Sequence, residues 1–372
     1  MHEIGFWDYT CPRHGSLEHY SAKDWDDLLD DMSVGGFNSL VIGVKWLTTG
    51  YRSRLPWLDQ DPSNTTIATD NRLLLDALTK ARSRGIRAWI LIVASIFNVE
   101  AFGIASAQPG DAFLGSRAYD LDQPVVSDRM VELCDEIGKV FGQHCDGMVI
   151  ELEFCDSATP HRIPGYNAWA SANGRPDFEP ISKIELQPRS YPFSHWRDFT
   201  TSRRVDMLGR IESVLRDGGF QGELSTIAEI DNGIGSINFA LNLKMLRSAL
   251  PHWKLLTYDS IYDRRVNRLA SMDFCIEYPH SLGFDVQFLT RGVMTWTWPP
   301  DGPSMNLLEQ WQMSIEDAGR FNPETFWFLG ADARLDGAVC SDRKLAAWGF
   351  EDARSARRKL MQVAGGLVAG IA

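Results

Sequence analysis

Two glutamates separated by one residue lie in an apolar run near the middle of the chain. Glu151 and Glu153 share one face of the strand that the segment Met148–Phe154 predicts, and their apolar neighbours take the other face. Because a buried carboxylate without a partner is costly, this pair indicates a polar site at the end of the strand. Paired carboxyl groups also displace each other's pKa, so that one can stay protonated as a general acid. An ion pair with a Lys or Arg of the barrel, such as Lys45, is the competing interpretation.

Further carboxylates end other apolar runs, at Asp8, Glu229, Asp231, Asp259 and Glu277. Glycoside hydrolysis uses such a set. One carboxylic acid protonates the leaving oxygen, and a second group acts as nucleophile, as base or as support for a nucleophile carried by the substrate. Glu153 is the predicted general acid.

Aromatic and polar side chains near the same strand ends are suited to sugars, which present apolar C–H faces to indole rings and hydroxyls to polar groups. The predicted substrate contacts are Trp7, Asp8, Lys45, Trp46, Glu229, Tyr258, Asp259, His280, Trp296 and Trp298. Other tryptophans, Trp89 foremost, are expected to fill the core between barrel and helices.

Apolar runs of strand length alternate with segments of helical period along the chain. The predicted strands are Ile4–Tyr9, Phe37–Trp46, Ile86–Phe97, Met148–Phe154, Leu224–Ile230, Leu255–Asp259, Asp273–Tyr278, Val293–Trp298 and Thr325–Leu329. This alternation predicts a parallel sheet, and about eight units favour a closed (β/α)8 TIM barrel over a doubly wound sheet. We expect one domain over 1–372, with one of these nine runs outside the barrel or not a strand.

The loop lengths place the extra chain on one face of the barrel. Turns from helix to strand are tight, whereas long stretches follow strands at Leu47–Asn71, Asn98–Gln123 and Cys155–Ser194. These stretches belong to the C-terminal face, where barrels build their sites. Because strands four and seven oppose each other across that face, Glu277 is the predicted second carboxylate and Glu151 competes with it.

Composition excludes several classes of partner. A net charge of −12 disfavours nucleic acid and membranes, and the basic runs Arg203-Arg204, Arg264-Arg265 and Arg357–Lys359 are expected to be solvated helix faces. The six cysteines form no CxxC pair, and neither a leader nor a membrane-length apolar run occurs, which indicates a reduced, cytoplasmic protein. The predicted partner is an oligosaccharide or glycoside. No cofactor or metal is expected, and the oligomeric state stays open.

The strand segment 146–153, DGMVIELE, resembles the DGxDxDxE signature of the chitinase-like barrels of glycoside hydrolase family 18. Asp146, Gly147 and Glu153 match, while Val149 and Glu151 stand at the two inner Asp positions. The resemblance implies Glu153 as the general acid.

Two further segments are similar to the same family and follow in the same order. Residues 256–259, LTYD, resemble its strand-six MxYD element, and residues 292–296, GVMTW, resemble its strand-eight segment. The resemblance implies that Tyr258 and Asp259 contact the reacting sugar and that Trp296 lies beneath it.

A second likeness is to the α-L-fucosidase-type barrels of family 29. It covers Trp25–Trp46, the helix at Arg72–Gly85 and the run from Met130 to Gly147 with an acid at Glu151. This resemblance implies Glu151 as the nucleophile. Both likenesses imply a retaining glycosidase with its key acid on strand four.

Two other functions would use the same residues. A divalent-metal-dependent sugar isomerase or epimerase would take oxygen ligands from Glu151 or Glu153, Glu229 or Asp231, Asp259 and Glu277. A sugar-binding barrel without catalysis is the third possibility. Bound Mn²⁺ or Mg²⁺ with activity lost on chelation would identify the isomerase.

Overall fold

A computed structural model provides the structure of the protein. It describes residues 2–11, 17–46, 48–58, 70–94, 96–97, 112–113, 116–118, 122–152, 162–175, 191–228, 241–258, 273–290, 315–329 and 351–371.

Eight parallel strands form a closed barrel, which confirms the predicted (β/α)8 fold. Each strand pairs with its neighbours in the chain, and the last pairs with the first. The strands are β1 (Glu3–Tyr9), β2 (Ser39–Lys45), β3 (Arg87–Val93), β4 (Gly147–Glu151), β5 (Glu223–Ile227), β6 (Lys254–Tyr258), β7 (Val286–Thr290) and β8 (Thr325–Leu329). Their apolar composition follows from burial on both faces.

Helices follow the strands around the outside of the barrel. They are α1 (Ala22–Gly35), α2 (Arg72–Ser83), α3 (Pro124–Phe141), α4 (Ile163–Ala172), α5 (Tyr191–Asp217), α6 (Leu243–Ala249) and α7 (Ala353–Ile371). A capping box between Ser21 and Asp24 begins α1, and Gly36, with φ of 74°, ends it. A small antiparallel sheet of Ile96–Phe97, Ala112–Phe113 and Ser116–Ala118 follows β3 in the chain.

The strand predicted at Asp273–Tyr278 is wrong. A π-helical turn, Asp273–Glu277, occupies this position and continues into the short helix Tyr278–Ser281. Its buried Cys275 packs outside the barrel, where the Cys275 carbonyl accepts a hydrogen bond of 2.7 Å from Thr257. A short apolar run does not distinguish helix from strand. The seventh strand is instead β7, and the run at Val293–Trp298 lies outside the described residues.

Indole rings fill the interior of the barrel. The rings of Trp7 and Trp89 both meet Trp327 edge to face, at centroid distances of 6.0 and 5.7 Å. Glycines make room for them, because a Cβ at Gly5 would lie 2.5 Å from Trp327 and one at Gly147 would lie 2.3 Å from Trp89. Trp89 therefore packs inside the barrel, and its predicted place between barrel and helices is wrong.

A network of ion pairs occupies the amino-terminal end of the barrel. Arg87 contacts Glu3 at 2.9 Å and Glu223 at 2.6 Å, and Lys254 contacts Glu223 at 3.3 Å and Glu324 at 2.9 Å. These five side chains belong to the barrel floor, whereas binding sites of this fold lie at the opposite end.

Candidate functional site

Glu151 is the last residue of β4, at the carboxyl-terminal end of the barrel. Its neighbours Met148 and Ile150 belong to the core between barrel and helices, and Val149 belongs to the interior cluster. By this alternation the Glu151 side chain points into the barrel, and it is 3% exposed. Glu151 therefore lies on the inner face of β4 and at the mouth of the barrel.

The ends of β1 and β2 form the neighbouring wall. Lys45 ends β2 and is buried, and its ammonium group donates a hydrogen bond to the carbonyl oxygen of Trp46. The ring of Tyr9 lies over Gly43, where a Cβ would be 2.1 Å from it, and its centroid is 6.0 Å from that of Trp46. Sequence reasoning missed Tyr9. The available signal was Gly43, because a glycine inside a strand often marks a close approach.

Cys11 follows β1 in the same region and carries no nucleophilic chemistry. Burial raises the pKa of its thiol to about 12, although the charge of Lys45 acts in the opposite direction. The thiol stays protonated at neutral pH and donates weakly to the Gly43 carbonyl at 3.5 Å. It packs as a small apolar group.

Two predicted contacts of the first strand lie away from the mouth. Trp7 is 1% exposed and is part of the interior tryptophan cluster. It precedes Tyr9 by two residues on the same face of β1, further from the mouth. Asp8 is buried and lies on the same face of β1 as Phe6, which belongs to the core between barrel and helices. The Asp8 carboxylate accepts a hydrogen bond of 2.7 Å from the backbone N–H of Tyr9. Their positions suit structural packing rather than direct contact with a ligand.

Glu277 and His280 do not join the mouth. Glu277 is an exposed residue of the helical segment outside the barrel, so it does not end a barrel strand. His280 lies one turn further, where burial lowers its pKa and the charges of Asp285 and Glu324 oppose that effect. These two acids precede β7 and β8, which places His280 toward the amino-terminal end. The predicted opposition of Glu277 to strand four is therefore wrong.

Tyr258 is the remaining predicted contact among the described residues. Tyr258 ends β6, where its backbone pairs with Leu289 of β7. The other predicted residues lie outside the described residues; they are Glu153, Glu229, Asp231, Asp259, Trp296 and Trp298.

Arg204 of α5 is a feature that sequence reasoning missed. It is 1% exposed, and its guanidinium reaches the ends of two strands, with bonds of 3.0 Å to the Leu152 carbonyl and 3.1 Å to the Ile227 carbonyl. The expectation of a solvated Arg203-Arg204 face is thus wrong for Arg204. The signal was its spacing of four from Leu208, which continues the apolar stripe of the helix.

The comparisons with known proteins bear on the fold. A glycoside hydrolase domain of PgaB (BpsB) from Bordetella bronchiseptica superposes with a TM-score of 0.62 at 13% identity, covering 97% of this chain and 99% of that one. A β-amylase catalytic domain from Paenibacillus polymyxa gives 0.60 at 9% identity, over 93% and 97%. A β-galactosidase from Rahnella sp. R3 gives 0.63 at 12% identity, over 100% of this chain and 56% of that one.

The chain has the barrel fold of these hydrolases. No family model matches the sequence, and no curated protein matches it. The specific likeness to family 18 is not confirmed.

Two structural features are absent from the described residues. None of the helices found there is long and apolar enough to cross a membrane. Among the same residues, His, Cys, Asp and Glu side chains form no group of three or more that could hold a metal ion. The described part of the mouth thus offers a buried carboxylate, a buried ammonium group and aromatic rings.

Proposed function

We propose that the protein is a glycoside hydrolase whose reaction is carried by carboxylates at the carboxyl-terminal end of β4. The observation that carries the proposal is the burial of the Glu151 carboxylate at this end of a closed parallel barrel. Carboxylates at the carboxyl-terminal ends of barrel strands are typical of residues kept for chemistry. The fold shared with several glycoside hydrolases supports the same reaction class by analogy.

In this proposal Glu153 is the general acid. Its proton passes to the glycosidic oxygen while the bond between that oxygen and the anomeric carbon breaks, and the bonding electrons stay on the leaving oxygen. Glu151 either attacks the anomeric carbon or stabilises the positive charge that develops there. Water then adds to the anomeric carbon and passes a proton to Glu153. Where Glu151 has attacked, its bond to the anomeric carbon breaks in this step and the Glu151 carboxylate is restored. If Glu151 is the nucleophile, the anomeric configuration is retained.

The substrate is proposed to be an oligosaccharide or glycoside, processed without a cofactor by a chain that forms one domain. The charge of Lys45 and the rings of Tyr9 and Trp46 line the described wall of the site. These groups suit the hydroxyls and the apolar faces of a sugar ring.

A panel of aryl glycosides tests the proposal. Glu153→Gln is expected to lower kcat on poor leaving groups by about 10²–10⁴-fold and much less on dinitrophenyl glycosides, which need no protonation. Glu151→Gln is expected to lower kcat on both kinds of substrate if Glu151 is the nucleophile. Glu277→Gln is the matched control and is expected to retain activity, because that side chain is exposed outside the barrel. Unchanged hydrolysis in Glu153→Gln would remove Glu153 from the acid role.

Chelation separates this proposal from the metal-dependent alternative. The glycosidase is expected to keep its activity in EDTA and to release a sugar whose first-formed anomer can be read by NMR. Activity lost in EDTA and restored by Mn²⁺ or Mg²⁺, on a free ketose or aldose, would instead support a sugar isomerase or epimerase.

A further inference from the structure

One buried guanidinium joins the ends of β4 and β5. Regular pairing between these strands ends at Ile150 and Thr226, where the Thr226 hydroxyl donates to the Ile150 carbonyl at 2.9 Å. Beyond that point Arg204 donates from Nη2 to the Leu152 carbonyl at 3.0 Å and from Nη1 to the Ile227 carbonyl at 3.1 Å. The side chain therefore continues the connection between the two strands after their own ladder stops.

The geometry of this bridge is restrictive. A guanidinium presents its N–H groups in a rigid planar fork, so two bonds to two strands set the separation of those strands. Hydrogen bonds from a charged donor contribute more to stability than those between neutral groups. Arg204 is also anchored from a long helix, α5, whose Leu208 and Ile211 pack in the core.

One of the two bridged carbonyls lies next to the candidate catalytic residues. The Leu152 carbonyl belongs to the peptide bond that joins Leu152 to Glu153, and Glu151 precedes it in the chain. A change in the direction of this peptide group would move both glutamates relative to a bound sugar. Misplacement by about 1 Å is enough to reduce catalysis by about a hundredfold.

We propose that Arg204 is a positioning residue, which sets the direction in which β4 and β5 leave the barrel and thereby places the strand-four glutamates. It acts through the two backbone carbonyls and does not contact substrate. The catalytic consequence rests on the proposed glycosidase function, whereas the effect on the strand ends does not.

Hydrogen exchange read by mass spectrometry tests the structural half without any substrate. The variants are Arg204→Lys, which keeps the charge but loses the planar fork, and Arg204→Met, which loses both. Peptides covering 148–156 and 224–231 are expected to exchange at least about tenfold faster in both variants. The amino-terminal ends of the strands, at the barrel floor, are expected to keep their protection. Arg210→Met on the same helix is the control, because Arg210 is half-exposed and binds Ser127 and Asp128 instead.

Two results would overturn the positioning role. One is unchanged exchange at both strand ends in Arg204→Met. The other is faster exchange spread evenly over the barrel, since that would mean general destabilisation. Should Arg204→Met fail to fold, Arg204→Lys decides by the same criteria.

Kinetics test the catalytic half on any glycoside that the unaltered protein hydrolyses. Both Arg204 variants are expected to lose kcat by about a hundredfold with KM within about twofold of the unaltered protein, and Arg210→Met is expected to change neither. A loss confined to KM would overturn the role. If no glycoside is hydrolysed by the unaltered protein, the glycosidase proposal fails while the exchange result on the strand ends still stands.

Discussion

Alanine at two adjacent glycines of α7 is expected to have opposite effects on stability. A Cβ on Gly365 would lie 1.9 Å from the carbonyl oxygen of Gly35 in α1, whereas a Cβ on Gly366 would meet no atom within 4 Å. Replacing a helix-interior glycine gains about 0.5–1 kcal/mol at either position. Because carbon and oxygen approach no closer than about 3.3 Å, Gly365→Ala must push the helices apart by roughly 1.4 Å.

Overpacking of this kind costs about 1–3 kcal/mol, and the upper end applies here because the obstacle is backbone rather than a flexible side chain. Gly365→Ala is therefore expected to lose about 2 kcal/mol net, while Gly366→Ala gains up to about 1 kcal/mol. Urea unfolding, followed by circular dichroism and by tryptophan fluorescence, measures both. Equal stability of the two variants would refute the close crossing of α1 and α7 at Gly35.

Three further predictions concern polar groups in the core and on the barrel floor. Arg357→Met is expected to cost about 3 kcal/mol of unfolding free energy, because Arg357 donates to the buried Asp31 at 2.7 and 3.1 Å; adding Asp31→Leu should recover part of the loss. Burial raises the pKa of Glu223, but the neighbouring cations, Arg87 first, lower it overall from 4.5. The ion pairs of Glu223 therefore stabilise the fold above pH 4.5 and lose that effect as the carboxylate is protonated. The loss of melting temperature in Glu223→Gln should accordingly shrink as pH falls below 4.5. Gln287→Met should raise stability by about 1 kcal/mol in urea titrations, because the buried amide finds no hydrogen-bond partner among the described residues, and a loss would show that it is bonded.

The basic runs show where a sequence pattern fails. Arg203-Arg204 and Arg357–Lys359 were expected to be solvated, yet Arg204 and Arg357 are both buried. Each lies on the inward side of an amphipathic helix, and each finds oxygen acceptors on a distant element: two strand-end carbonyls for Arg204, and Asp31 of α1 for Arg357. Composition describes the run, whereas burial depends on which side of the helix each residue occupies and on what packs there.

The assignment of Glu277 failed for a related reason. The run from Phe274 to Ile276 is apolar enough for a strand, but three residues carry no usable period, and the chain forms a helical turn against β6. The true seventh strand, β7, is as short and contains the polar Gln287. Only pairing with β6 and β8 distinguishes the two segments.

The sequence by itself determined the barrel class and the face of β4 on which Glu151 lies, because strand alternation and the repeated strand-to-helix order are local along the chain. Tertiary structure alone decided that Trp7 fills the interior, that Glu277 is outside the barrel and that Arg204 joins two strand ends. These outcomes depend on contacts between residues far apart in sequence, such as Arg204 with Leu152, and no local pattern encodes the acceptor that a buried guanidinium will find.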